Sequence, residues 1–297
     1  MRRIQTVVAT LGLLTSLAAC GGKKDDAGTK GSGEVTPAGP AKCPPGNVVK
    51  DGACIVVVTP EKIAEVAKLG TRLDDLAKFL DQVDTVGAPI ELFNGLRQLD
   101  PWKAAKAKYE KLAAVDAVAD TLDGAVKTLR TFKGSLGEAS ARLGHLKGSL
   151  DQLMTDTGAA HKIEDVRAQI STQLRATVEP LAAQVQDTIQ NALVPLTTQL
   201  SKVSNLVIMG CTMADLSGGG DKMKDLCTQA QAGFTKAVAY VVELKGKPAQ
   251  LFTEVTSQLE AQLTQLVDAE TLKLVGAAQV KVSEALRLPA AGSGSGH

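Results

Sequence analysis

The chain has 297 residues, 33 Lys and Arg against 32 Asp and Glu, and 3% aromatic residues. A near-neutral balance gives no electrostatic footprint for nucleic acid, and so few aromatic rings give no platform on which bases or sugars could stack. A core must therefore be built from Leu, Val, Ile and Ala.

Arg2 and Arg3 open the chain, and the apolar run "IQTVVATLGLLTSLAA" follows, ending in small residues. A positive start, a short apolar stretch and small residues before a cleavage point make an export signal, too short to remain as a membrane span. Leu17-Ala18-Ala19-Cys20 resembles the lipobox of bacterial lipoproteins: an aliphatic residue, two small ones, then cysteine. The resemblance is confined to this N-terminal stretch. It implies loss of residues 1–19, a diacylglycerol on the Cys20 thiol and an acyl chain on the new amino group. Two or more chains anchor a protein stably where one does not. Gly21 follows Cys20, not Asp, and the resemblance then implies sorting to the outer membrane. Membrane lipid is the expected partner at this end. Without residues 1–19, which carry two arginines and no acids, the chain has 31 basic and 32 acidic residues.

Of the five cysteines, Cys20 is assigned to lipid, which leaves Cys43, Cys54, Cys211 and Cys227. An export signal and two local cysteine pairs fit an oxidising compartment. Three pairings are possible, and the local ones, Cys43–Cys54 and Cys211–Cys227, are preferred. Metal binding is the competing use. It is disfavoured because the chain has no Cys-x-x-Cys and no His close to either pair.

Residues 21–42, "GGKKDDAGTKGSGEVTPAGPAK", are polar, Gly/Pro-rich and aperiodic, and read as a disordered tether with a reach of about 25 Å. In 43–58, Pro44-Pro45-Gly46 and Asp51-Gly52 are turn signals. Asn47 to Lys50 and Ile55 to Val58 flank the second turn like a small hairpin, which a Cys43–Cys54 bridge would close. So small a piece cannot bury a core of its own, and it is expected to cap the helices that follow; a binding loop is the other reading.

From residue 59 to 288 the pattern is helical, as an antiparallel bundle of long helices with coiled-coil packing. Thr59-Pro60-Glu61 is a helix start, with an N-cap hydroxyl, Pro at the first position and an acid in the first turn. Asp100-Pro101-Trp102 repeats it. Val66, Leu73 and Leu80 form one seven-residue seam and Leu69, Leu76 and Val83 a second, which is a/d spacing. Gly87-Ala88-Pro89 is expected to interrupt that helix, with a short one over 90–99.

A helix of about 80 Å is expected from Pro101 to Thr155. Val115, Leu122, Leu129, Leu136, Leu143 and Leu150 recur every seven residues. Val118, Ala125, Phe132, Ala139, Leu146 and Leu153 lie three further on. Gly124, Gly134, Gly137, Gly144 and Gly148 fall in the same helix. They suit either close approach of a neighbouring backbone or simple flexibility.

After Thr157-Gly158 the period changes to eleven. Ile163, Leu174, Val185, Leu196 and Val207 form one set; Val178, Ile189 and Leu200 another; Ile170, Leu181, Ala192 and Val203 a third. This helix is expected to run to Met209, with Pro180 and Pro195 bending or dividing it. "SGGGD" is a turn, and Asp221 is placed to cap the next helix, which Gly246-Lys247-Pro248 ends. A Cys211–Cys227 bridge would staple this helical hairpin at its tip. The last helix runs to Leu286, with Val255, Leu259, Leu263 and Leu266 on one face. Residues 289–297 are a flexible tail.

Little here supports catalysis. His145 faces away from the leucine seam, His161 sits near a turn and His297 is the last residue. Asp74, Asp75, Asp81 and Asp84 read as a solvated face. Gly218-Gly219-Gly220 lacks the Lys and Ser/Thr of a phosphate loop. Ser201 and Ser204 have no histidine at recognisable spacing, and Trp102 reads as a core or hairpin-end anchor. No catalytic residue, metal or cofactor is assigned. The expectation is a membrane-anchored envelope lipoprotein acting as a structural spacer or protein-interaction scaffold, with a protein partner or self-association. The alternative is a carrier or sensor of lipid, because the 163–207 segment is similar to the amphipathic helices of exchangeable apolipoproteins. It departs from them in a Gln/Thr-rich polar face, for example Gln184, Gln186, Thr188 and Gln190, with few basic flanks.

Overall fold

The structure, a computed structural model, describes residues 42–112, 114–156, 161–216, 218 and 220–287. The expected lipobox with Cys20, the tether up to residue 41, Thr157-Gly158, His297 and the tail at 289–297 lie outside them. The described part is an all-α antiparallel bundle with a small disulfide-closed hairpin at its N-terminal side.

Strands β1 (Asn47–Lys50) and β2 (Ala53–Val56) pair antiparallel, with Lys50 opposite Ala53 and Asn47 opposite Val56. Asp51 and Gly52 both have positive φ, which suits a two-residue turn between twisted strands. The second strand is thus two residues earlier than the apolar run Ile55 to Val58 suggests. The turn fixes the register, and Val57 and Val58 are buried in the core instead.

Helix α1 (Pro60–Phe79) begins as expected, with the Thr59 hydroxyl accepting from Lys62 N–H. Both seven-residue seams are buried. The interruption, however, falls at a 3-10 turn, Leu80–Val83, and Gly87-Ala88-Pro89 lies inside α2 (Asp84–Leu96). Pro89 lies there with its ring packed on a glycine of the facing helix. A β-carbon built on Gly233 of the facing helix would sit 2.8 Å from Pro89 Cβ.

The single long helix expected from Pro101 is divided. Helix α3 (Asp100–Lys108) and a 3-10 turn (Glu110–Leu112) precede α4 (Val115–Thr155), whose 41 residues span about 60 Å. Asp100 is the first residue of α3, not its cap; Leu99 holds the cap position with no side-chain bond. The heptads begin at Val115, so the α4 seam starts where the leucine pattern does. Val118 is half-buried, and the other eleven seam residues are buried. The five glycines of α4 make no close approach: β-carbons built on them meet nothing within 4 Å.

Helix α5 (Ile163–Thr188), a π turn (Ile189–Leu193) and α6 (Val194–Leu216) form one helical run past the expected end at Met209. All the eleven-residue sets are buried. Pro180 does not break α5. Its missing N–H would have served the Ala176 carbonyl, and Arg142 Nη1 of α4 donates to that oxygen instead. Just ahead of Pro195 the ladder loosens into the π turn. The run continues through Gly210, whose lack of a side chain makes room for Trp102.

Helix α7 (Gly220–Leu244) follows, with Asp221 in its first turn and not at the cap. Helix α8 (Lys247–Leu263) starts at Gly246-Lys247-Pro248, as expected. The last helix is not continuous: a 3-10 turn (Thr264–Leu266) and Asp268 separate α8 from α9 (Ala269–Arg287). The Asp268 carboxylate accepts from Thr271 N–H at 2.7 Å and so caps α9.

Four antiparallel rods result: α1 with α2, α4, α5 with α6, and α7 with α8. Each packs on the next, and α9 lies on α5 and α8. Trp102, Phe93, Phe132, Phe234 and Phe252 are the largest fully buried side chains in the core.

Candidate functional site

The hairpin docks on the helix ends by backbone hydrogen bonds. Gly46 N–H donates to the Leu153 carbonyl at 2.8 Å, and Val49 N–H to the His161 carbonyl at 2.8 Å. Leu153 is in the last turn of α4, where carbonyls have no partner within the helix. The Gly46 carbonyl accepts from both Val57 and Val58. Gly46 has φ +74°, and a β-carbon there would sit 2.5 Å from the Val58 oxygen and 2.6 Å from Met154 Sδ, so only glycine fits. The hairpin therefore caps the helices, as its sequence suggested, and the chain enters the described fold at this end of the bundle.

Both preferred disulfides form. Cys43–Cys54 closes the hairpin with Cα atoms 5.5 Å apart. Cys211–Cys227 joins α6 to α7 near their shared tip with Cα atoms 5.9 Å apart. Between the two lies most of the length of the run from α5 to α6. The tip is braced by Trp102, which is fully buried against Gly210, and by edge-on contacts from Phe93 to Trp102 and to Phe234. Trp102 is therefore the core anchor its lone position suggested.

The residues weighed for chemistry do not converge. His145 is exposed on α4. His161 Nε2 lies 3.1 Å from Asp156 Oδ2 at the corner between α4 and α5. Asp75, Asp81 and Asp84 are in surface ion pairs with Lys78, Lys133 and Arg130. Among the described residues no group of three or more His, Cys, Asp or Glu is arranged to hold a metal ion. Among them, too, no helix is long and apolar enough to cross a membrane.

One polar cluster escaped the sequence reading. Arg175 on α5 donates from Nε to the Thr271 hydroxyl at 2.5 Å and from Nη2 to Asp268 at 3.1 Å. The Ser171 hydroxyl accepts from Asp268 N–H at 2.9 Å. The Thr271 backbone N–H, and then hydrogen bonds from neighbouring side chains, hold the Asp268 carboxyl well below the usual carboxylate range. These groups satisfy one another and pin the α8–α9 corner to α5. The signal for the cap was present, an Asp followed by Glu270 in a first helical turn, but it lay inside an apolar pattern that read as one helix.

Fold and site together define an all-α, doubly disulfide-stapled bundle. The chain matches no protein-family model, no curated protein and no solved structure at a significant level.

Proposed function

We propose that this chain is an envelope lipoprotein, anchored through acylated Cys20 to the outer membrane, that acts as a structural spacer or protein-interaction scaffold. The observation that carries the reading is where the chain enters the bundle. The hairpin at Cys43 is bonded to the end of α4, so the chain that carries Cys20 joins the bundle at one end of its rods. The long helical faces supply packing surface. The carrier reading has less behind it. Its eleven-residue stripe is spent on packing inside the bundle, so lipid could reach that face only if the rods separated.

Metabolic labelling with a clickable fatty acid tests the anchor, with label expected on the wild-type chain and absent from Cys20→Ser. Equal labelling of the two removes the anchor. Native mass spectrometry of the full chain released from detergent tests the mode of action. A bare chain or a homo-oligomer agrees with a spacer or scaffold, and a lipid mass lost on unfolding replaces it with the carrier.

A further inference from the structure

Three of the four rods change their helical geometry at nearly the same level. The first has the 3-10 turn Leu80–Val83, the third the π turn Ile189–Leu193, and the fourth the break at Lys245–Gly246. Contacts across the bundle fix the alignment. Phe79 stacks on Tyr240 with ring centroids 5.1 Å apart, and Lys247 Nζ lies 4.1 Å from the Phe79 ring centre. The pairing of Cys211 with Cys227, followed down the two antiparallel helices, sets Leu193 opposite Lys245. The described part of α9 reaches this level as well, where Arg287 shares a cleft with Gln190.

We propose that this level is a transverse joint about which the two halves of the bundle bend. A 3-10 or π turn within a helix exchanges regular hydrogen bonds for weaker or wider ones, and such places serve as hinges. The carbonyls around Pro195 are tended by side chains: the Thr197 hydroxyl donates to Leu193 at 2.7 Å and the Thr198 hydroxyl to Val194 at 2.9 Å. Bonds of this kind bend helices. Beside the π turn, the fully buried Thr188 hydroxyl has no hydrogen-bond partner among the described residues, so this turn leaves a polar group to be satisfied in another arrangement.

The second rod, α4, crosses the joint unbroken and is its flexure. Lys133 pairs with Asp81 beside the first rod's 3-10 turn, and Gly134 and Gly137 follow immediately. No neighbour requires these residues to be glycine. What they supply is a helix that gives easily. The Tyr240 hydroxyl, donating to the Phe79 carbonyl at 3.1 Å, ties the first rod to the fourth at the same level, so the bend is taken up around this contact. For a spacer, a joint of this kind lets one length of bundle fit gaps of different width.

Pulsed electron–electron distance measurements on the full chain test the joint. All samples carry Cys20→Ser, so that only introduced cysteines take the spin label. Lys236→Cys on α7 with Lys273→Cys on α9 spans the joint. Lys236→Cys with Lys127→Cys, and Lys273→Cys with Lys68→Cys, each stay within one half. The spanning pair is expected to give a distance distribution about twice as wide as either control. Gly134→Ala together with Gly137→Ala is expected to narrow it. A spanning distribution no wider than the controls overturns the proposal, as does a width that the double substitution leaves unchanged.

Discussion

The six-membered ring of Trp102 stands against the backbone of Gly210, closer than any β-carbon at that position would allow. The contact joins α3 to α6 at the end of the bundle where α6 and α7 are stapled, and Trp102 is fully buried in it. Gly210→Ala therefore overpacks a site that has no flexible side chain to yield. A loss of about 1–3 kcal/mol in urea unfolding is expected. Trp102 is the chain's single tryptophan, so its emission reports on the same site. A red shift in the Gly210→Ala protein should accompany the lost stability. An unchanged midpoint and an unchanged spectrum would show that the two helices part there at no cost.

Glycines elsewhere in the bundle should respond in the opposite sense. At Gly124, Gly144 and Gly148 an added β-carbon meets nothing, and each position is on the exposed side of α4. Alanine there is expected to stabilise by about 0.5–1 kcal/mol per site, through helix propensity alone. Gly233→Ala, which drives a methyl into Pro89, should destabilise. Thermal unfolding of the four single variants checks both signs, and a common sign for all four would contradict the packing.

The leucine seams of α1 and α4 were legible because each repeat names the same buried face again, so six heptads outvote any local ambiguity. The break at Gly246-Lys247-Pro248 was legible from its own residues, but whether a proline inside a helical pattern breaks it was not, because partners distant in sequence bear on that. Pro180 fails to break α5 only because Arg142 of another helix supplies a donor to Ala176. Pro89 sits inside α2 with its ring against Gly233, far along the chain, where a side chain would collide with it. Disulfide pairing was readable from short spacing, whereas the Arg175–Asp268 contact joins residues 93 apart and left no local trace.

The two disulfides should differ in what they protect. Cys211–Cys227 closes a separation of 16 residues at the tip, and its removal by Cys211→Ser with Cys227→Ser is expected to cost about 3 kcal/mol by loop-closure entropy. Cys43–Cys54 closes 11 residues and holds the hairpin that caps α4. Cys43→Ser with Cys54→Ser should therefore speed hydrogen exchange at Gly46 and Val49 before it affects the tip. Exchange at those two amides as slow as in the wild type would mean that the helix ends hold the hairpin without the bridge.

Acid should loosen the α8–α9 corner first. Asp268 is ionised in the folded state to a lower pH than in the unfolded chain, because Thr271 N–H and then side-chain donors including Arg175 favour the carboxylate. A carboxyl whose folded pKa is lowered adds stability that is complete above the ordinary carboxylate pKa of about 4. That stability drains away as pH falls from there toward the folded value. Asp268→Asn keeps a capping oxygen for Thr271 but has no charge to lose. The difference in unfolding free energy between wild type and Asp268→Asn is thus expected to be largest at neutral pH and to shrink steadily below about pH 4. Urea unfolding of both proteins from pH 7 to about pH 2.5 measures it. A difference that stays constant across that range would mean that Asp268 has the same pKa folded and unfolded, and that its hydrogen bonds do not favour the charged form.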